Sequence, residues 1–181
     1  MCRSIRNNFI NEKLKQFSLK GTVDEHIHMD LNPGADTEKI KHSSKFMLEK
    51  HQPETLIVVA GTNDISFDTH AGTANADVIA ERVIAIGKEA VRDFKSIKRV
   101  AISSIILRGA AQYSGIVFDV NLRLQLRCIQ EGFAYINNEG IEKRDLYDGL
   151  HLNWFGNEKF LHKLLSCCES YNPYLDDDLH Y

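Results

Sequence analysis

Three short stretches of this chain carry residue types that could do chemistry together. Asp148-Gly149-Leu150-His151, followed by Leu152-Asn153, is the first. An Asp and a His three apart, with a Gly between them, can approach until the carboxylate accepts from an imidazole N–H. That bond would fix the tautomer and stabilise the protonated ring, as an acid–base His requires. The plainer alternative is a surface loop before a helix, with Asp148 serving a turn. The second stretch is Gly61-Thr62-Asn63-Asp64. At the end of a strand, the Asn63 amide could donate to a developing oxyanion. Locally, an Asx turn that caps the next segment is the simpler reading. In the third, Asn32-Pro33-Gly34-Ala35-Asp36, Gly34 could turn a backbone N–H towards a ligand without a Cβ in the way.

A metal site is the rival reading of one further stretch. Asp24, His26, His28 and Asp30 fall at alternate positions, hence on one face of a strand. His-x-His suits zinc, but a polar, solvent-facing strand side explains the pattern equally and no third ligand cluster accompanies it, so we assign no metal. Cys2, Cys128 and the adjacent pair Cys167-Cys168 lack metal-ligand spacing and read as reduced thiols.

The elements that must hold these residues alternate between helix and strand. Phe9–Leu19 has helical apolar spacing, and 25–31 alternates as a half-buried strand. Asp36 or Thr37 can cap a helix running to about His51, with Ile40, Phe46, Met47 and Leu48 on its apolar side. Residues 55–60 form a continuous apolar run, the mark of a strand covered on both faces. A helix over 76–95, a strand over 99–107, a helix over 116–130, a short strand over 133–137 and a last helix from Trp154 or Phe155 to about Cys168 follow. This order predicts an α/β three-layer sandwich with a mainly parallel sheet flanked by helices. Ligands of such sheets sit beyond the carboxyl ends of the strands, where the three stretches fall.

Composition bounds the rest. The chain has 181 residues, of which 43% are hydrophobic and 26% charged, an ordinary globular balance for one domain. We place that domain at 1–170 and read 171–181, with Asp176-Asp177-Asp178, as an acidic tail. A net charge of −3 leaves no basic surplus to neutralise a phosphate backbone, so nucleic acid is not an expected partner. No apolar run approaches the ~20 residues of a membrane span, and no apolar leader follows Met1, so a cytoplasmic location is expected.

Taken in order, the three stretches resemble the SGNH (GDSL-like) hydrolase family. Gly34 matches its second block, Gly61, Asn63 and Asp64 its third, and Asp148 and His151 its fifth. The resemblance spans nearly the whole chain. It implies a serine esterase mechanism without a cofactor, in which His151 is the base, Asp148 orients it, and Gly34 and Asn63 hold the oxyanion. It also implies a small ester as substrate, such as an O-acetyl group.

The first block departs from the family. Gly-Asp-Ser does not occur, and no first strand precedes the nearest match, Cys2-Arg3-Ser4, which places Ser4 at the nucleophile position. Three readings stay open: a working Ser4 on a shortened scaffold, a truncated copy, or an inactive binding or interaction module that keeps the pocket.

Overall fold

The computed structural model describes residues 27, 28, 30, 32–107 and 111–169. The chain divides into two compact units, Asp30–Tyr171 and a second made of Met1–Met29 with Asn172–Tyr181. Of the second, only Ile27 and His28 are described, and all the elements below belong to the first. The expected helix over Phe9–Leu19 lies outside the described residues. So does most of the expected strand over 25–31, whose described members Ile27, His28 and Asp30 carry no strand assignment.

Local signals set most element boundaries. Helix α1, Thr37–His51, starts where the Asp36 carboxylate accepts from the Lys39 N–H at 2.9 Å, one of the otherwise unsatisfied first-turn donors. Strand β1, Thr55–Val58, leads into helix α2, Thr62–His70. Helix α3, Ala76–Asp93, is capped by the Asn75 side chain, which accepts from the N–H groups of Asp77 and Val78. Strand β2, Arg99–Ser103, helix α4, Ser114–Glu131, strand β3, Ala134–Ile136, and helix α5, Trp154–Glu169, complete the unit.

The sheet is parallel in the order β1-β2-β3, with Leu56 beside Val100 and Ile102 beside Tyr135. Side chains alternate between its faces, as the two-residue period of a strand requires. Leu56, Val58, Val100, Ile102 and Tyr135 join the larger core with α1, α3 and α4. Ile57, Ala101, Ala134 and Ile136 meet Phe160 and Leu164 of α5 on the other face. This is the three-layer α/β sandwich that the alternation of elements predicts.

Three details differ from expectation. Phe46 is 67% exposed, whereas Leu48 is buried. Two residues apart on a helix point about 200° away from each other, so both cannot face the core. Leu56 and Ile57 are half-buried rather than covered, because β1 stands at one end of the described sheet. β2 stops at Ser103 instead of reaching Leu107. Beyond it the Asn121 side chain of α4 replaces a strand neighbour: its Oδ1 accepts from the Ile105 N–H at 2.7 Å and its Nδ2 donates to the Ile105 carbonyl at 2.8 Å.

Candidate active site

Because the strands are parallel, their carboxyl ends at Val58, Ser103 and Ile136 share one edge of the sheet. The turn at Gly61 leaves that edge after β1, and the long connection 137–153 leaves it after β3.

Gly61 takes φ +95°, in the left-handed region, and a Cβ there would lie 2.9 Å from Ile105 Cδ1 and 3.0 Å from Val83 Cγ2. Conformation and space therefore both demand glycine. The chain enters α2 at once, which puts Asn63 and Asp64 in its first turn. Sequence reasoning treats this stretch as a loop, and the Asx-turn reading of Asn63 is corrected by the structure. Asn63 Nδ2 donates to the carbonyl of Ala35 at 2.8 Å, 28 residues away. That bond uses one of two N–H donors and fixes the plane of the amide, so the direction of the second is set.

Asp64 is the residue whose part sequence reasoning did not see. Asp64 is only 4% exposed. It accepts from the Thr37 N–H at 3.0 Å and from the Thr37 hydroxyl at 2.6 Å. Thr37 is the first residue of α1, so a carboxylate from α2 satisfies the start of another helix and complements its dipole. Arg82 Nη1 lies 3.9 Å from Asp64 and 3.0 Å from Asp68. The one available signal was an acidic residue directly after an apolar strand, where burial demands a partner.

Through Ala35 and Thr37 the Gly34 stretch is thus fastened to α2. Gly34 has φ +75° and the Ala35 N–H donates to the Asn32 carbonyl at 3.1 Å. With Pro33 before it, this is the pattern of a type II turn, which needs φ > 0 at its third residue. A Cβ on Gly34 would meet nothing within 4 Å. Glycine is required here by the backbone rather than by close approach. The hydrogen bond of the turn uses the N–H of Ala35, not that of Gly34.

Asp148 and His151 do come together. His151 Nδ1 lies 2.6 Å from Asp148 Oδ2. The other carboxylate oxygen accepts from the backbone N–H groups of His151 at 2.7 Å and Leu150 at 3.0 Å. Both sequence readings hold at once: Asp148 closes a turn with one oxygen and orients the imidazole with the other. The N–H and imidazole of His151, with the Leu150 N–H, hold the carboxyl of Asp148 far below the usual carboxylate range. A short antiparallel bridge between Leu146 and Leu152 and a bond from the Tyr147 N–H to the His151 carbonyl shape this tip. The Tyr147 ring stacks on the imidazole at 5.6 Å, 18° from parallel. At the root of the connection, the Asn138 amide donates to Ser103 Oγ at 2.9 Å and to the Ser104 carbonyl at 2.6 Å. Ser103 at the end of β2 and Ser104 just beyond it are buried in these bonds, so they serve packing.

Comparison with known structures agrees with this architecture. A GDSL-like lipase from Bacteroides thetaiotaomicron superposes with a TM-score of 0.68 at 16% identity, covering 91% of this chain and 83% of that one. A protein assigned as an acylhydrolase, from Bacteroides fragilis, gives 0.68 at 15% identity over 92% and 83%. An acetyl esterase, solved as a serine-to-alanine mutant with acetate ion, gives 0.61 at 20% identity over 87% and 89%. The chain has the SGNH (GDSL-like) hydrolase fold. No protein-family model and no curated protein sequence matches it. At these identities the likeness is one of fold, and residue roles stand on the geometry above.

Within the SGNH fold, the structure joins Asn63 to the Gly34 turn and Asp148 to His151. Ser4 lies outside the described residues. His26 does too, and among the described residues no group of His, Cys, Asp and Glu could hold a metal. Nor is any described helix long and apolar enough to cross a membrane.

Proposed function

We propose that the protein is a serine esterase-type hydrolase of small esters, such as O-acetyl esters. Ser4 is the nucleophile, His151 the general base, Asp148 its orienting partner, and the Gly34 N–H and Asn63 amide the oxyanion donors. The observation that carries this reading is the 2.6 Å bond from His151 Nδ1 to a carboxylate itself held by two backbone N–H groups. With Nδ1–H committed to Asp148, the basic lone pair of neutral imidazole is on Nε2, the position that takes a nucleophile's proton.

In this mechanism Ser4 Oγ bonds to the ester carbonyl carbon while its proton passes to His151 Nε2. The carbonyl electron pair moves onto oxygen, where the Asn63 and Gly34 donors stabilise it. The adduct collapses by breaking the bond to the alkoxy oxygen, which takes from His151 the proton that Ser4 gave up. Water then repeats the sequence on the acyl-serine. One oxyanion donor contributes about 10²–10³ in kcat, and an acid–base His about 10²–10⁴.

Hydrolysis of p-nitrophenyl acetate by the wild type, Ser4→Ala and His151→Ala tests the reading. Both variants are expected to fall at least a hundredfold. Cys2-Arg3 in place of Gly-Asp favours a second reading, an inactive binding module with the same pocket. Equal rates in all three proteins, with no labelling of Ser4 by a fluorophosphonate, would establish it instead.

A further inference from the structure

The tip that carries His151 also carries an apolar rim that the reaction so far leaves unused. Tyr147, Leu150, Trp154 and Phe155 are 58%, 42%, 54% and 68% exposed. Four large apolar side chains in nine residues, all turned to solvent, exceed the scattered exposed residues of an ordinary surface and mark a binding site. They are also held in place. Tyr147 is stacked on His151, and Leu150 precedes it with its N–H bonded to Asp148. Trp154 and Phe155 open α5, whose start is fixed by Asn153: its Oδ1 accepts from the Gly156 N–H at 3.0 Å and its Nδ2 donates to the Arg144 carbonyl at 2.7 Å. The backbone step of 3.8 Å keeps the Trp154 Cα within about 11 Å of that of His151. A rim of exposed apolar groups carried on an anchored backbone binds an apolar ligand at reduced entropic cost.

Which arm of an ester would lie there follows from the chemistry of the base. His151 must pass its proton on to the leaving alkoxy oxygen, so that oxygen comes within about 2.6–3.2 Å of the imidazole. The acyl carbonyl instead points to Asn63 and Gly34, on the far side of the sheet edge from β3. The Tyr147 ring stacked on the imidazole puts the apolar groups of the tip beside that oxygen, within reach of the alcohol's carbons. We infer that this rim seats the alcohol arm, so that the preferred substrates are short-acyl esters of an apolar alcohol. The inference rests on the esterase reading above and names its substrate class.

The test holds the acyl group constant and varies the alcohol, using the full chain. Ethyl, butyl and octyl acetate are compared in the wild type and in Leu150→Ser/Phe155→Ser. The wild-type kcat/KM is expected to rise at least about tenfold from ethyl to octyl acetate, since each buried methylene strengthens binding severalfold. In the variant the octyl-to-ethyl ratio falls towards one. A second readout needs no turnover. Trp154 is the only tryptophan in the chain, so its emission reports directly on the rim. Addition of 1-octanol is expected to shift it saturably and ethanol at equal concentration is not, with the octanol response weakened in the variant. If wild type hydrolyses no acetate, the esterase reading fails, and the octanol titration alone then judges the rim. A flat alcohol series with no octanol response overturns the inference. So does rim-dependent binding to phosphatidylcholine vesicles without preference among soluble alcohols, which would make the rim a lipid contact.

Discussion

Asp64→Ala should destabilise this protein far more than a typical substitution of an acidic residue. The carboxylate accepts two bonds from buried Thr37, at 3.0 Å from the backbone N–H and at 2.6 Å from the hydroxyl. A hydrogen bond to a charged group contributes about 1.5–3 kcal/mol, and a buried donor left without an acceptor costs about 1–3 kcal/mol. The Arg82 contact at 3.9 Å adds little, because Arg82 keeps Asp68 at 3.0 Å. The expected loss is therefore about 3–5 kcal/mol, against a total stability of about 5–15 kcal/mol for a domain. Asp64→Asn retains one acceptor oxygen and should lose about 1–2 kcal/mol. Urea unfolding followed by far-UV circular dichroism measures both, with the midpoint falling and the slope unchanged. Thr37→Val removes the hydroxyl alone, and its double-mutant cycle with Asp64→Ala should show a coupling of about 1–3 kcal/mol. A loss below ~1 kcal/mol in Asp64→Ala, or additive single mutants, would refute the idea that this carboxylate ties α2 to the start of α1.

Further outcomes follow from the same geometry. Gly61→Ala meets both a left-handed φ and two side chains at 2.9–3.0 Å and should cost about 2–4 kcal/mol, whereas Gly34→Ala meets only the φ penalty of about 1–2 kcal/mol; thermal unfolding ranks the two. Asn63→Ala should lower kcat on acetate esters about 10²–10³-fold and remove the Ala35 tether, a loss of about 1 kcal/mol seen in urea. The Asp148 carboxyl is held below its unfolded value, so its contribution to stability is complete above the ordinary carboxylate pKa of about 4 and is lost as pH falls through the lower folded value. The stability difference between wild type and Asp148→Asn, measured by urea unfolding, should accordingly shrink below about pH 4. Burial pushes the Cys128 thiol up to about 11, so a thiol-specific disulfide reagent at pH 8 should modify Cys128 only when urea unfolds the chain.

Much of the scaffold was legible because its signals are local. Asp36 announces α1 by the cap it forms, and the apolar spacing of 76–95 marks α3 with its buried Ile79, Val83 and Ile86, although Val78 and Val91 of the same spacing are exposed. The apolar runs after Pro53 and Lys98 became β1 and β2. Helix α2 was not legible. Thr62–His70 has little apolar periodicity, and its buried residues are Asp64 and Ile65. A helix whose covered face includes a carboxylate is stabilised by a partner distant in sequence, and no local pattern names that partner. The early end of β2 has the same origin, since Asn121 of α4 takes over the hydrogen bonding of Ile105.

The candidate site divides along the same line. The sequence alone determined that Asp148 and His151 could pair, because three residues and a glycine suffice to close the turn. It also marked Asn32-Pro33-Gly34 as a turn and set the order of the three stretches that resembles SGNH hydrolases. Only the tertiary structure decided that the Asn63 amide turns to Ala35 rather than capping its own helix, and that Asp64 anchors Thr37. Both bonds cross more than 25 residues of chain. Their donors and acceptors meet because β1 and α2 are packed into a core that holds them there, and burial makes each missing bond too costly to leave unmade.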